Sequence, residues 1–249
     1  MKIALVISGQ PRGMPISFEM VKTAIIEPNG IEDVFLHAWH DESKVGQPYN
    51  SAQPAQNGRV GFIKPGTAEY LTDAYKPKQA LIEPQRDFEH LKSLISAPSA
   101  NQELLGSNFY SSYMANQMRK IYEAQNGVKY DVVIKTRYDI YYEHHIKVAD
   151  YLSQIEEGKL VVRKRYQDDQ DNFKNPNLPM NDVFAIGNGK AMDIFCGVYP
   201  EMTDLNKVIN PPFGENYLGQ HVRVKNNIQL HKADWTFDIL HRVIDLSSV

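Results

Sequence analysis

The sequence predicts an α/β fold, a mainly parallel central sheet flanked by helices, and three observations carry that expectation. The first is a short apolar run at the start of the chain, Ile3 to Ile7, ended by Gly9-Gln10-Pro11-Arg12. It has the length of a buried strand and is too short for a signal-peptide core or a membrane span. The second is alternation: strand-length apolar runs are separated by stretches with helical spacing, an order that implies parallel strands joined by crossover helices. The third is composition. With 249 residues, 42% of them hydrophobic and 23% charged, the chain can bury a core without help from disulfides or a structural metal.

Taken in order, Lys2 to Ser8 predicts the first strand, and Ile16 to Ile26 has helical spacing that should stop before Pro28. Asp33 to Trp39 predicts a second strand. Gly46 to Gly66, rich in Gln, Asn, Pro and Gly and poor in periodicity, predicts an exposed loop of the kind that folds over a ligand. Gln79 to Glu83, closed by Pro84, is a third short strand. Tyr110, Tyr113, Met114, Met118, Ile121 and Tyr122 recur at helical spacing and mark a helix over Tyr110 to Ala124. Val128 to Ile134 predicts a strand ending in Lys135-Thr136-Arg137-Tyr138-Asp139. Beyond it, Lys159 to Arg163 and Asp182 to Gly187 read as strands around a charged loop, Lys164 to Asn177. Lys190 to Val198 and Glu215 to Val224 read as helices, the second entered through Pro211-Pro212-Phe213-Gly214, and Ile228 to His231 as a last strand. No linker divides the chain, so 1–249 is expected to be one domain.

Charge and cysteine content exclude some functions. Twenty-seven Lys and Arg against 30 Asp and Glu leave a formal charge of −3, and a pI near 6.2 gives no broad basic footprint for nucleic acid. No apolar stretch approaches the roughly 18 residues a membrane helix needs. The single cysteine, Cys196, lies in an apolar helical stretch and is expected to be a small core residue. A reducing, cytoplasmic setting is the expectation that follows.

In open parallel sheets ligands bind outside the carboxyl ends of the strands, which directs attention to Ser8 to Arg12 and to Arg137 to Asp139. A guanidinium after an inner strand, as at Arg12 and Arg137, matches a diphosphate through paired hydrogen bonds. Gly9 lets backbone amides approach such a ligand. His37, Trp39 and His40 are expected to pack inward, as are the aromatic helix face and Trp235. His144-His145, being adjacent, make a poor pair for one metal.

Several of these pieces together prompt a resemblance. Ile7-Ser8-Gly9-Gln10-Pro11-Arg12, His37-Ala38-Trp39, Asn108 to Asn116, Tyr130 to Asp139 and Asn181-Asp182-Val183-Phe184-Ala185-Ile186-Gly187 resemble a group of sugar transferases from bacteria, phages and large DNA viruses that are similar to GT-A glycosyltransferases. The resemblance implies a single GT-A-like, Rossmann-like domain, with residues 1–140 as a nucleotide-sugar-binding half and 141–249 as an acceptor-binding half. It also implies a nucleotide-sugar donor, held by Ser8, Gly9, Gln10, Arg12, Asn116, Arg137 and Asp139, and a glycan or related hydroxyl acceptor. Asn116 and Lys120, one helical turn apart, would face the donor together.

Such enzymes usually carry Asp-x-Asp to hold a divalent metal against the diphosphate, and hard oxygen ligands suit manganese or magnesium. Here Asp139-Ile140-Tyr141 supplies only the first acid, with Glu143 or His231 as candidates to complete the shell. Two acids are candidates for handling the acceptor proton. Glu215 stands at a helix start, where the dipole favours a negative charge, and Asp182 stands beside the expected acceptor loop. Two rivals follow from the same residues: a nucleotide-sugar or glycan binding module without catalysis, favoured by the missing second acid, and a nucleotidyltransferase. The latter should show a Gly-rich, Lys-containing loop after the first strand, which Ser8-Gly9-Gln10-Pro11-Arg12 matches poorly.

Overall fold

The computed structural model describes residues 1–49, 60–92, 102–164, 180–205, 207, 214–240 and 246. Along these the elements are β1 (Ile3–Gly9), α1 (Ile16–Val21) running on as a π-helical turn (Lys22–Ile26), α2 (Glu27–Asn29), β2 (Asp33–Trp39), α3 (Thr67–Tyr75), β3 (Gln79–Glu83) and α4 (Glu89–Lys92). There follow α5 (Gln102–Asn126), β4 (Val132–Arg137), β5 (Ile140–Tyr142), α6 (Leu152–Glu156), β6 (Leu160–Arg163), β7 (Ala185–Gly187), α7 (Gly189–Cys196) and α8 (Met202–Leu205). Last come α9 (Gly214–Gly219) with its π-helical continuation (Gln220–Lys225), β8 (Leu230–Ala233) and β9 (Phe237–Ile239).

Seven strands form one sheet in the order β3-β2-β1-β4-β7-β6-β8. The pairs β1·β2, β1·β4, β2·β3 and β6·β8 are parallel, and β7 runs antiparallel to both β4 and β6. This is the mainly parallel α/β, Rossmann-type sheet that the sequence predicts. The central strands carry apolar runs, Ala4 to Ile7, Val34 to Leu36 and Val132 to Ile134, because both faces of the sheet are covered. Leu5, Ile7, Leu36 and Ile134 pack on one side with Val21 and Ile25, while Ala4, Val6, Phe35 and Val133 pack on the other with Phe109, Ala115, Met192 and Phe195.

The sheet also fixes which side chains meet at its carboxyl edge: Ser8 of β1 lies opposite His37 of β2 on one side and Arg137 of β4 on the other. A small second sheet, β5 against β9, is absent from the sequence expectations; it sets Asp238 opposite Tyr141 beside that edge.

Several boundaries differ from expectation: the helix expected over Tyr110 to Ala124 runs from Gln102 to Asn126, and the strand expected over Ile228 to His231 runs from Leu230 to Ala233. Pro28 does not stop the first helical stretch, because it sits in the first turn of α2, where a proline forfeits no hydrogen bond; the stop is Gly30 at φ +59°. The fourth strand is shifted and takes in Lys135, Thr136 and Arg137. The strand expected from Asp182 is regular only from Ala185, so Asp182 stands on irregular backbone. The expected loops at Gly46 to Gly66 and Lys164 to Asn177, and the Pro211-Pro212-Phe213 entry, fall partly or wholly outside the described residues.

Candidate active site

At the end of β4 a strand residue and its turn supply opposite charges. Arg137 donates from Nε to Asp139 Oδ1 at 2.9 Å and from a terminal nitrogen to Oδ2 at 2.8 Å, and Arg12, from the turn after β1, donates to the same Oδ2 at 3.0 Å. Arg12 in turn donates to Gln10 Oε1 at 3.0 and 2.7 Å. The Asp139 side chain is only 2% exposed and that of Arg12 10%. Burial opposes both guanidinium charges. For Arg137 the attraction and hydrogen bonds of Asp139 outweigh it and raise the pKa, whereas for Arg12 burial wins and the pKa falls. Gly9, at φ +118° with open space where a side chain would stand, makes the turn that brings Gln10 and Arg12 back over the strand end.

Arg137 opens into a cleft of about 430 Å³. Its walls carry three cations, Arg137, Arg163 and Lys164, and three acids, Asp182, Glu215 and Asp238, over an apolar floor that includes Leu105, Ile140 and Phe237. Arg163 stacks 4.6 Å over the Phe237 ring and donates to the Phe237 carbonyl at 2.6 Å, which fixes its direction. Asp182 Oδ2 accepts from Asn108 Nδ2 at 2.6 Å, and the Glu215 carbonyl accepts from the Met180 amide at 2.9 Å, so the segment carrying Asp182 is tied to the start of α9.

A second, smaller cavity of about 100 Å³ lies at the ends of β1, β2 and β3, lined by Gln10, Trp39, His40, Tyr49 and Gln85 among others. Trp39 and His40 are buried, as the sequence predicts. Among the described residues, however, Trp39 Nε1, His40 Nδ1 and the Ser8 hydroxyl find no hydrogen-bond partner. Buried polar atoms left in this way are costly and are commonly satisfied by a ligand or ordered water.

His37, next to this cavity, is fully satisfied: it lies 2.8 Å from the Ser111 hydroxyl through Nδ1 and 3.1 Å from Glu83 Oε1 through Nε2. Burial pushes its pKa down to about 4 against the pull of Glu83. The folded chain therefore holds His37 neutral and the unfolded chain protonates it more readily, so the stability gained above pH 6.5 is lost as pH falls towards 4. The loss is about 3 kcal/mol. Urea unfolding at pH 7 and pH 4 checks this: His37→Gln should show a visibly flatter pH slope than the wild type, and equal slopes would remove His37 as the cause.

The structure thus gathers Arg137, Asp182 and Glu215 around one cleft and puts Asp139 with Arg12 and Gln10 behind it. It does not bring Asn116 or His231 there. Asn116 faces α7, donating to Asp193 Oδ1 at 2.9 Å within an ion-pair group that includes the buried Arg119, and Lys120 joins that group at 3.5 Å from Asp193. His231 lies on β8, its ring 5.9 Å from that of Tyr151. Arg163, Lys164 and Asp238 were not singled out by sequence. Arg163 closes a strand and offered the same signal as Arg137, whereas Asp238 reaches the cleft only through the β5·β9 pairing.

The expected divalent cation does not fit this donor set. Both Asp139 oxygens already accept hydrogen bonds from guanidiniums, His231 is elsewhere, and among the described residues no three His, Cys, Asp or Glu side chains converge as metal ligands would.

No protein-family model matches the chain, and no curated protein matches its sequence. Among solved structures, mouse xyloside xylosyltransferase 1 in its apo form is similar in the course of its chain at 11% identity and a TM-score of 0.44, covering 93% of this chain and 84% of that one. No helix among the described residues is long and apolar enough to cross a membrane.

Proposed function

We propose that the chain is a glycosyltransferase that moves a sugar from a nucleotide-sugar donor to a hydroxyl of a glycan or related acceptor. The observation that carries this reading is the pairing of Arg137 and Arg12 through Asp139 at the carboxyl edge of a parallel sheet, on the border of a cleft lined by further cations and by Asp182 and Glu215. The sequence resemblance to sugar transferases points the same way.

In this reading the donor's nucleoside end enters the small cavity, whose wall includes Gln10, Trp39 and His40 and can offer polar groups to a heterocycle and its ribose. The diphosphate lies against Arg137 with Arg12 behind it, and the sugar and acceptor occupy the large cleft. As the glycosidic bond breaks, negative charge grows on the leaving diphosphate. Fixed cations then stabilise it without having to reorganise. A carboxylate in the cleft takes the proton of the attacking hydroxyl. No step is routed through a metal; turnover is expected to persist in excess chelator, and its loss there would restore the divalent cation to the mechanism.

Calorimetry with a panel of nucleoside diphosphates and their sugar conjugates tests the reading. One of them should bind, and Arg137→Ala should weaken it by roughly ten- to a hundredfold, the worth of a charged hydrogen bond of about 1.5 to 3 kcal/mol. A chain that binds none of the panel is not a nucleotide-sugar enzyme, and one that binds but neither transfers nor hydrolyses the sugar is a binding module.

A further inference from the structure

Lys135 stands on β4 two residues before Arg137 and is 1% exposed, among the most deeply buried large side chains of the fold. Its Nζ donates to the Asp182 carbonyl at 2.6 Å and reaches the Val183 carbonyl at 3.4 Å. The charged and titratable groups around it are Asp182 from the irregular segment before β7, Cys196 from α7, and Arg137 and Asp139 from its own strand end. The Phe195 ring lies 6.0 Å away.

A methionine of similar length would fill this space without desolvating an ammonium, a burial that is expensive unless the charge is put to use. The cost is visible: burial pushes the lysine down to about 8. What the ammonium holds is backbone with no ladder partner. Asp182 and Val183 precede β7, and their carbonyls receive from Lys135 the hydrogen bonds that a sheet would otherwise supply. Together with Asn108, which holds the Asp182 carboxylate at 2.6 Å, this fixes Asp182 at both its backbone and its side chain.

We propose that Lys135 is a positioning residue: by clamping the Asp182 and Val183 carbonyls from beneath the cleft, it sets the place of the Asp182 carboxylate that receives the acceptor. The inference rests on the reading of the cleft as an acceptor site. Lys135 touches neither substrate.

The experiment measures steady-state kinetics of wild type, Lys135→Met, Asp182→Asn and the double variant, with p-nitrophenyl glycosides as acceptors and the donor chosen by calorimetry. Lys135→Met should raise the acceptor KM by about tenfold and leave the donor KM within about twofold, because only one side of the cleft is displaced. Asp182→Asn should then add little in the Lys135→Met background. A full Asp182→Asn effect in that background, or donor and acceptor KM rising together, would overturn the proposal and leave Lys135 a general structural residue.

Should Lys135→Met not fold, the wild type decides with lysine Nζ labelled by ¹⁵N: the Lys135 signal is expected to be protected from exchange and to shift on adding glycoside but not nucleotide. An unprotected or unresponsive signal overturns the clamp. A wild type that binds no nucleotide and transfers no sugar is the failure of the functional reading, seen before any variant is made.

Discussion

Asp139→Asn is expected to cost about 3 to 5 kcal/mol of stability, because it removes the buried carboxylate that the buried Arg12 and the partly buried Arg137 share. Breaking a buried ion pair from one side is expensive for this reason: the partner charge stays in a poorly solvating place with nothing to balance it. Here two guanidiniums lose the carboxylate they share, and Arg137 keeps only the weaker attraction of Asp182 among the carboxylates that raise its pKa. Arg12 and Arg137 both bond Oδ2, so the neutral amide leaves them facing each other as like charges. For a chain of this size each kcal/mol moves the melting temperature by roughly 2 to 4 °C, which puts the expected drop near 10 °C.

A thermal melt of Asp139→Asn beside Arg12→Gln/Asp139→Asn reads it, and the double variant should recover part of the loss by relieving the repulsion. A single variant that melts within about 1 °C of wild type would show that Asp139 is not the hub of this cluster. Manganese added to the same melts separates the alternative role. An ion held by Asp139 would raise the wild-type melting temperature and not the variant's, since binding to the native state alone stabilises it.

The cluster connects stability to function. One carboxylate between two guanidiniums leaves a net positive charge at the strand ends, fixed in direction by the paired hydrogen bonds of Arg137. In the proposed reading a diphosphate arriving there would meet donors already oriented, leaving little ordering to be done on binding. The same arrangement explains why Arg12, 8% exposed, is better understood as the support of Asp139 than as an independent phosphate ligand.

Much of the fold was legible in the sequence, and the parts that were not share a cause. β1 and β2 could be read because both their faces are buried, so Ile3 to Ile7 and Val34 to Leu36 are apolar runs, and Gly9 and Pro11 mark the end of the first. β4 was expected to end at Ile134 and instead runs on to Arg137, although Lys135, Thr136 and Arg137 are polar. They remain in the strand because Lys135 finds the Asp182 carbonyl and Thr136 the Tyr142 hydroxyl, partners that lie outside the strand. Arg137, Asp182 and Glu215 stood out because strand ends and helix starts are where a parallel sheet presents chemistry. Asn116 misled for a related reason. Its helical spacing from Lys120 is real, but the face they share turns towards Asp193 on α7. Helical period fixes which residues share a face and leaves open what that face meets.

Glu215 and Asp182 remain to be told apart, and their surroundings give them different work. Asp182 is held by Asn108 through its carboxylate and by Lys135 through its backbone. A carboxylate held at its side chain and through its backbone is a fixed point, which suits orienting an acceptor hydroxyl. Glu215 lies across the same cleft at the first turn of α9 and is partly exposed. In the proposed reading its carboxylate takes the proton of the attacking hydroxyl. Glu215→Gln is therefore expected to lower kcat by about 10² to 10⁴ with acceptor KM little changed, the range for loss of a general base. Asp182→Asn should chiefly raise acceptor KM, because it removes binding present in ground and transition states alike. Transfer and slow donor hydrolysis, measured on variants whose melts match wild type, distinguish the two. The reverse pattern would exchange their roles. Full turnover in both would take both acids out of proton transfer and favour a retaining reaction, in which an oxygen of the leaving phosphate accepts the proton from the attacking hydroxyl.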